Sequence, residues 1–120
     1  MERATFSRTD KLPQRYKMDI SETDIQKSII EVLEYHPQVA YFWRHNVGFI
    51  KRPGRAVRFG IPGQSDILGI LKGGRFLAIE IKKPKKDREP EQVKFQDTVN
   101  QAGGLAFVAR SIDDVIRELG

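Results

Sequence analysis

At 120 residues the chain has the length of one domain, and its 39% hydrophobic and 31% charged residues are usual for a globular protein. It contains no cysteine, which excludes disulfides and thiolate metal sites, and no apolar run reaches the ~18 residues of a membrane span. A formal net charge of +5 favours an anionic partner.

Residues 1–20, MERATFSRTDKLPQRYKMDI, are polar, basic and without periodicity. They read as a flexible basic arm that precedes a single domain over residues 21–120, and its cations suit phosphate contact. The arm has no apolar signal-peptide core, and the missing cysteines fit a reducing compartment, so a cytoplasmic location is expected.

SETDIQKSIIEVLEY, residues 21–35, predicts a helix with Ser21 as its N-cap and Asp24 at the third helical position. Ile25, Ile29, Val32 and Leu33 form one apolar face. At 100° per residue Glu22 falls within that arc and Gln26 at its edge, while Glu31 and Glu34 point away. The helix dipole also favours an acid in this first turn.

A short strand is expected over residues 39–44 of VAYFWRHN. Phe42 and Trp43 read as core or intersubunit contacts rather than as a surface for stacking bases. The next stretch, VGFIKRPGRAVRFGIPG, reads as a surface loop or irregular hairpin. Its cations Lys51, Arg52, Arg55 and Arg58, with Arg44 upstream, alternate with Phe49 and Phe59. They suit either a solvated loop or a phosphate-binding rim. His36 and His45 lack the spacing of a zinc site.

SDILGILKGGRFLAIEIKK predicts a β-hairpin around Gly73-Gly74. Its register decides the chemistry. A two-residue loop opposes Asp66 to Ile81, whereas a three-residue loop, Lys72 to Gly74, opposes Asp66 to Glu80. The second is expected here. The basic turn KKPKKDRE follows, with Lys83, Lys85 and Lys86. Next comes a helix opening on Pro90 and stopping at Gly103, with Gln92, Phe95, Gln96 and Val99 on one face. LAFVA is a strand, and Ser111 with Asp114 caps a last helix. The order αβββαβα, with a helix between two strands, implies a parallel crossover and an α/β domain whose mixed central sheet is flanked by helices.

Alternate strand residues share a face, so Glu80 and Lys82 point the same way, and Asp66 joins them in the three-residue register. Two carboxylates meeting at a sheet edge repel each other and are costly to bury. A hard divalent cation removes that repulsion, and the Ile81 main-chain carbonyl adds an oxygen donor between them. Lys82 is then placed to position water or to balance charge on phosphorus. The plain structural alternative is a Glu80–Lys82 ion pair at a strand end.

GIPGQSD, then EIK fourteen residues later, then an inward Gln on the next helix resembles the PD-(D/E)XK nuclease superfamily, and more narrowly the VRR-NUC family of small nucleases, many of them phage-borne. The superfamily's proline stands as Pro62, four residues before Asp66, rather than beside it. The resemblance spans about Glu22 to Leu119. It implies a restriction-endonuclease-like fold, metal binding by Asp66, Glu80 and the Ile81 carbonyl, catalysis by Lys82, and supporting roles for Gln92 and Glu22, with Gln26 near. It further implies Mg²⁺- or Mn²⁺-dependent hydrolysis of DNA to 5′-phosphate products, a homodimer, a preference for branched DNA such as four-way junctions, and a bacterial or phage-infected cell. Arg44, Lys51, Arg52, Arg55, Arg58, Lys83, Lys85 and Lys86 are the expected phosphate-binding cations. Two other classes remain: a catalytically silent nucleic-acid-binding module and a purely structural assembly protein.

Overall fold

The computed structural model describes residues 21–45 and 48–120; the side chains of residues 48–50, 58 and 59 are not described. The basic arm expected over residues 1–20 lies outside the described residues. In chain order the elements are α1 (Glu22–Tyr35), β1 (Val39–Arg44), β2 (Gly48–Arg52), β3 (Arg55–Phe59), β4 (Ile67–Leu71), β5 (Phe76–Ile81), α2 (Pro90–Gln101), β6 (Leu105–Ala109) and α3 (Ile112–Leu119).

The mixed sheet has the order β1-β4-β5-β6. β1, β4 and β5 run antiparallel in turn, and β6 is parallel to β5 across the α2 crossover. Among the described residues, β2 and β3 pair only with each other. The Gly- and Arg-rich stretch is therefore a regular hairpin turning at Pro53-Gly54, where Gly54 takes a φ of 75°. This adds two strands to the expected order αβββαβα without entering the main sheet.

Caps form where the sequence places them. The Asp24 N–H donates to Ser21 Oγ at 3.1 Å, and the Asp114 N–H donates to Ser111 Oγ at 3.4 Å. β4 and β5 are buried except at Ile70 and Phe76, because α1 and α3 cover one face there and α2 covers the other over most of their length. On one face Ile25, Ile29 and Leu33 of α1, with Val115 and Leu119 of α3, pack on Ile67, Leu77, Ile79 and Phe107. On the other, Val99 and Phe95 of α2 pack on Leu68, Ala78 and Ala106. Ile29, Ile67, Leu77 and Ile79 are wholly excluded from solvent, and each such side chain contributes about 1.5–3 kcal/mol.

The hairpin takes the three-residue loop. The Leu71 N–H donates to the Arg75 carbonyl at 2.8 Å, and the Gly74 N–H to the Leu71 carbonyl at 2.9 Å. Both loop glycines are left-handed, with φ of 92° at Gly73 and 89° at Gly74. Ile67 faces Ile79 and Ile70 faces Phe76, so one further step of the same register sets Asp66 opposite Glu80. Among the described residues, no helix is long and apolar enough to cross a membrane.

Candidate active site

Asp66 sits immediately before β4, where the ladder runs out. Its carbonyl accepts from the His45 N–H at 2.7 Å, and its carboxylate Oδ2 accepts from the Ile81 N–H at 2.7 Å. A side chain thus takes the place of a ladder carbonyl at the end of β5. Its other oxygen, Oδ1, takes no part in that bond.

Glu80 lies inside β5 and is only 3% exposed. The alternation that buries Ala78 beneath α2 carries Glu80 to the same face. Its Oε2 accepts from Gln92 Nε2 at 3.0 Å, while Gln92 Oε1 accepts from the Glu89 N–H at 2.7 Å. The amide is therefore anchored at the first turn of α2, where Pro90 opens the helix, and is aimed at the carboxyl. Glu80 Oε1 is buried and, among the described residues, has no hydrogen-bond partner. Burial, and after it the negative charge of Asp66, push the Glu80 carboxyl from 4.5 up to about 8. The Lys82 ammonium opposes that push and Glu22 adds to it.

Glu22 corrects one expectation. It lies on the same side of the helix as Ile29, as expected, but is exposed rather than buried there. It lies in the first turn of α1, where the buried face begins only at Ile25, yet its charge still reaches Glu80. Gln26 is half-buried one turn further on. Lys82 is half-buried at the end of β5, where its N–H donates to the Ala109 carbonyl at 3.2 Å.

The expected phosphate-binding cations differ in exposure. Arg44, Lys51, Arg52 and Arg55 are exposed, while the Arg58 side chain lies outside the described part. Lys83 is half-buried, and Lys85 and Lys86 are exposed. The Lys86 N–H closes a turn on the Lys83 carbonyl at 3.1 Å, with Lys85 held at a φ of 70°. That left-handed conformation costs a non-glycine residue about 1–2 kcal/mol. Arg110 Nη2 donates to the Lys86 carbonyl at 2.6 Å and braces the turn.

Two supports were not legible as such in the sequence. Gln96, 1% exposed, donates to the Phe107 carbonyl at 2.9 Å and accepts from Arg88 Nη1 at 2.7 Å, which seats α2 on the sheet. Its inward position was the available signal. His45, which lacks the spacing of a zinc ligand, is half-buried and accepts from the Ile61 N–H at Nε2, 3.2 Å away. It ties the end of β1 to the segment leading into Asp66. Main-chain partners leave no trace in residue spacing, so no sequence signal marked it.

Among the described residues, no group of three or more His, Cys, Asp or Glu side chains is arranged to hold a metal ion. What the site offers is a pair of carboxylates, one with a buried oxygen that lacks any partner. Such a donor set fits a hard cation that retains water and phosphate oxygens in the rest of its shell.

No family model and no curated protein matches the chain. A solved structure described as a VRR_NUC domain does, with a TM-score of 0.53 and 24% identity over 80% of this chain and 90% of that one. The fold is that of a VRR_NUC domain. Within this VRR_NUC fold, Asp66 and Glu80 come from adjoining strands and Gln92 from the crossover helix that covers them.

Proposed function

We propose that the chain is a divalent-metal-dependent nuclease that hydrolyses DNA phosphodiester bonds. The observation that carries this reading is the unpartnered, buried Oε1 of Glu80 opposite Asp66, with the Glu80 carboxyl raised to about 8. A protein gains nothing in stability from burying such a group, so a charged ligand is its natural counterpart. The VRR_NUC fold of the neighbouring structure supports the same reading by analogy.

Asp66, Glu80 and the Ile81 carbonyl would hold Mg²⁺ or Mn²⁺. When bound, the ion supplies charge neutralisation at phosphorus and a more acidic water. Gln92 keeps the Glu80 carboxyl turned toward Asp66 by holding Oε2. Lys82, on the same strand face as Glu80, balances negative charge that grows on the phosphate during attack and can hold a proton for the leaving oxygen. Glu22, exposed and with its charge felt at Glu80, would orient a solvent molecule. The cations of β2, β3 and the lysine turn bind the phosphate backbone and set the register of the strand.

Selectivity for branched DNA, a 5′-phosphate product and a homodimer with two sites belong to the same proposal. The test is incubation with linear, flapped and four-way-junction DNA in Mg²⁺, Mn²⁺ and EDTA. Metal-dependent cleavage that Asp66→Asn abolishes, with DNA binding retained, supports the nuclease. Salt-sensitive binding without cleavage in Mn²⁺ favours the silent binding module instead.

A further inference from the structure

Among the described residues, the α2 face of the main sheet is only half covered: α2 packs on β5, β6 and Leu68 of β4 and leaves the β1 side open. A bulge between Val39 and Tyr41 sets the phase of β1. Phe42, opposite Gly69, turns toward the α1 and α3 core, whereas Tyr41 and Trp43 turn to the open face. There they remain 65% and 39% exposed, with ring centroids 6.0 Å apart. Tyr41 opposes Ile70, which opposes Phe76, and those two are 39% and 37% exposed. Of the two expected roles, core or intersubunit contact, Phe42 takes the first and the exposure of Trp43 rules out only the core for that ring.

Trp43 opposes Leu68, and Asp66 stands two residues before Leu68 on the same face. At about 3.4 Å per residue and about 4.8 Å between strands, Trp43 and Asp66 are about 8 Å apart. That is about two stacked nucleotides at about 3.4 Å each. Resting on the nuclease reading, we infer that Trp43, with Tyr41 beside it, is a stacking platform for an unpaired base next to the scissile phosphate. The preferred substrate then carries single-stranded nucleotides beside the bond that is cut.

Three observations favour a base over a protein partner. The stripe is continuous with the carboxylate pair on one sheet face, so whatever lies on the site meets these rings next. The chain carries a net charge of +5, which suits a polyanion. The open area of the four side chains is on the order of 400 Å², about half of what each partner contributes to a stable protein interface.

Trp43 is the only tryptophan in the chain, so its emission reports directly on the platform. In EDTA, DNA with a single-stranded gap or flap should quench that emission, and a blunt duplex of equal length should quench it far less. In Mn²⁺, Trp43→Ala should raise KM about tenfold on gapped or flapped DNA, matching the loss of one base–aromatic stack, and leave KM on the blunt duplex within about twofold. Trp43→Phe keeps a ring and should stay close to wild type on both. An absent quench, an equal loss on both DNAs, or a wild-type dimer that sediments as a monomer after Trp43→Ala overturns the platform. Cleavage with neither quench nor substrate-selective loss removes the platform and keeps the nuclease. A gap-selective quench without cleavage in any metal keeps the platform as a binding surface and removes the nuclease.

Discussion

Replacing Glu80 by Gln should separate a structural carboxyl from one kept for a cation. Between pH 4.5 and 8 the unfolded chain releases the Glu80 proton while the folded protein retains it. The folded state then binds more protons, so stability falls as pH rises through that window. Below it both states are protonated, and above it both are ionised with the penalty fully present. A carboxyl moved from 4.5 to about 8 corresponds to at most about 5 kcal/mol, at about 1.4 kcal/mol for each tenfold change in the proton equilibrium. Relaxation and water entry reduce this to about 2–4 kcal/mol in practice.

The Gln variant carries no such penalty, and its carbonyl still accepts from Gln92. Urea unfolding in EDTA at pH 5 to 9 should show wild type losing about 2–4 kcal/mol relative to Glu80→Gln across the range, with the variant the more stable at pH 9. Other groups titrate in both proteins and cancel in the difference. Adding Mn²⁺ should stabilise wild type at pH 8–9, by about 2.7 kcal/mol at a hundredfold excess over Kd, and leave the variant unchanged. Parallel pH profiles would show that Glu80 ionises freely in the folded protein. Equal stabilisation of both proteins by Mn²⁺ would move the cation away from Glu80.

Lys82→Ala should lower kcat about 10²- to 10³-fold while DNA affinity is retained, and wild-type turnover in single-turnover assays would remove Lys82 from the chemistry. Arg52→Ala combined with Arg55→Ala should flatten the plot of log affinity against log salt by about 1.8, at about 0.9 per phosphate contact. An unchanged slope would take the DNA path off the β2–β3 turn. Gly69→Ala would set a Cβ 2.6 Å from the Tyr41 carbonyl and 3.0 Å from Phe42 Cβ, with no flexible side-chain end to yield. It should cost about 1–3 kcal/mol in denaturant unfolding, and a neutral effect would mean that β1 shifts freely on β4.

The helices, their caps and the hairpin were legible in the sequence because each depends on residues close along the chain. Ser21 and Ser111 cap because a hydroxyl three residues before an N–H is sufficient. Asp66 faces Glu80 because the loop from Lys72 to Gly74, with two left-handed glycines, sets the phase of every pair below it. Side-chain period and turn length are local quantities, and residue order carries them.

Coverage is not local. Only the assembled sheet decided that β2 and β3 pair apart from it, that Glu22 is exposed at the start of α1, and that Tyr41 and Trp43 are exposed on the face opposite the α1 and α3 core. The environment of Glu80 belongs to the same class. Its burial and its hydrogen bond from Gln92 arise because α2 crosses β5 there. Alternation along a strand states which side a carboxyl faces, whereas the desolvation that raises its affinity for a proton depends on what distant chain lies over it.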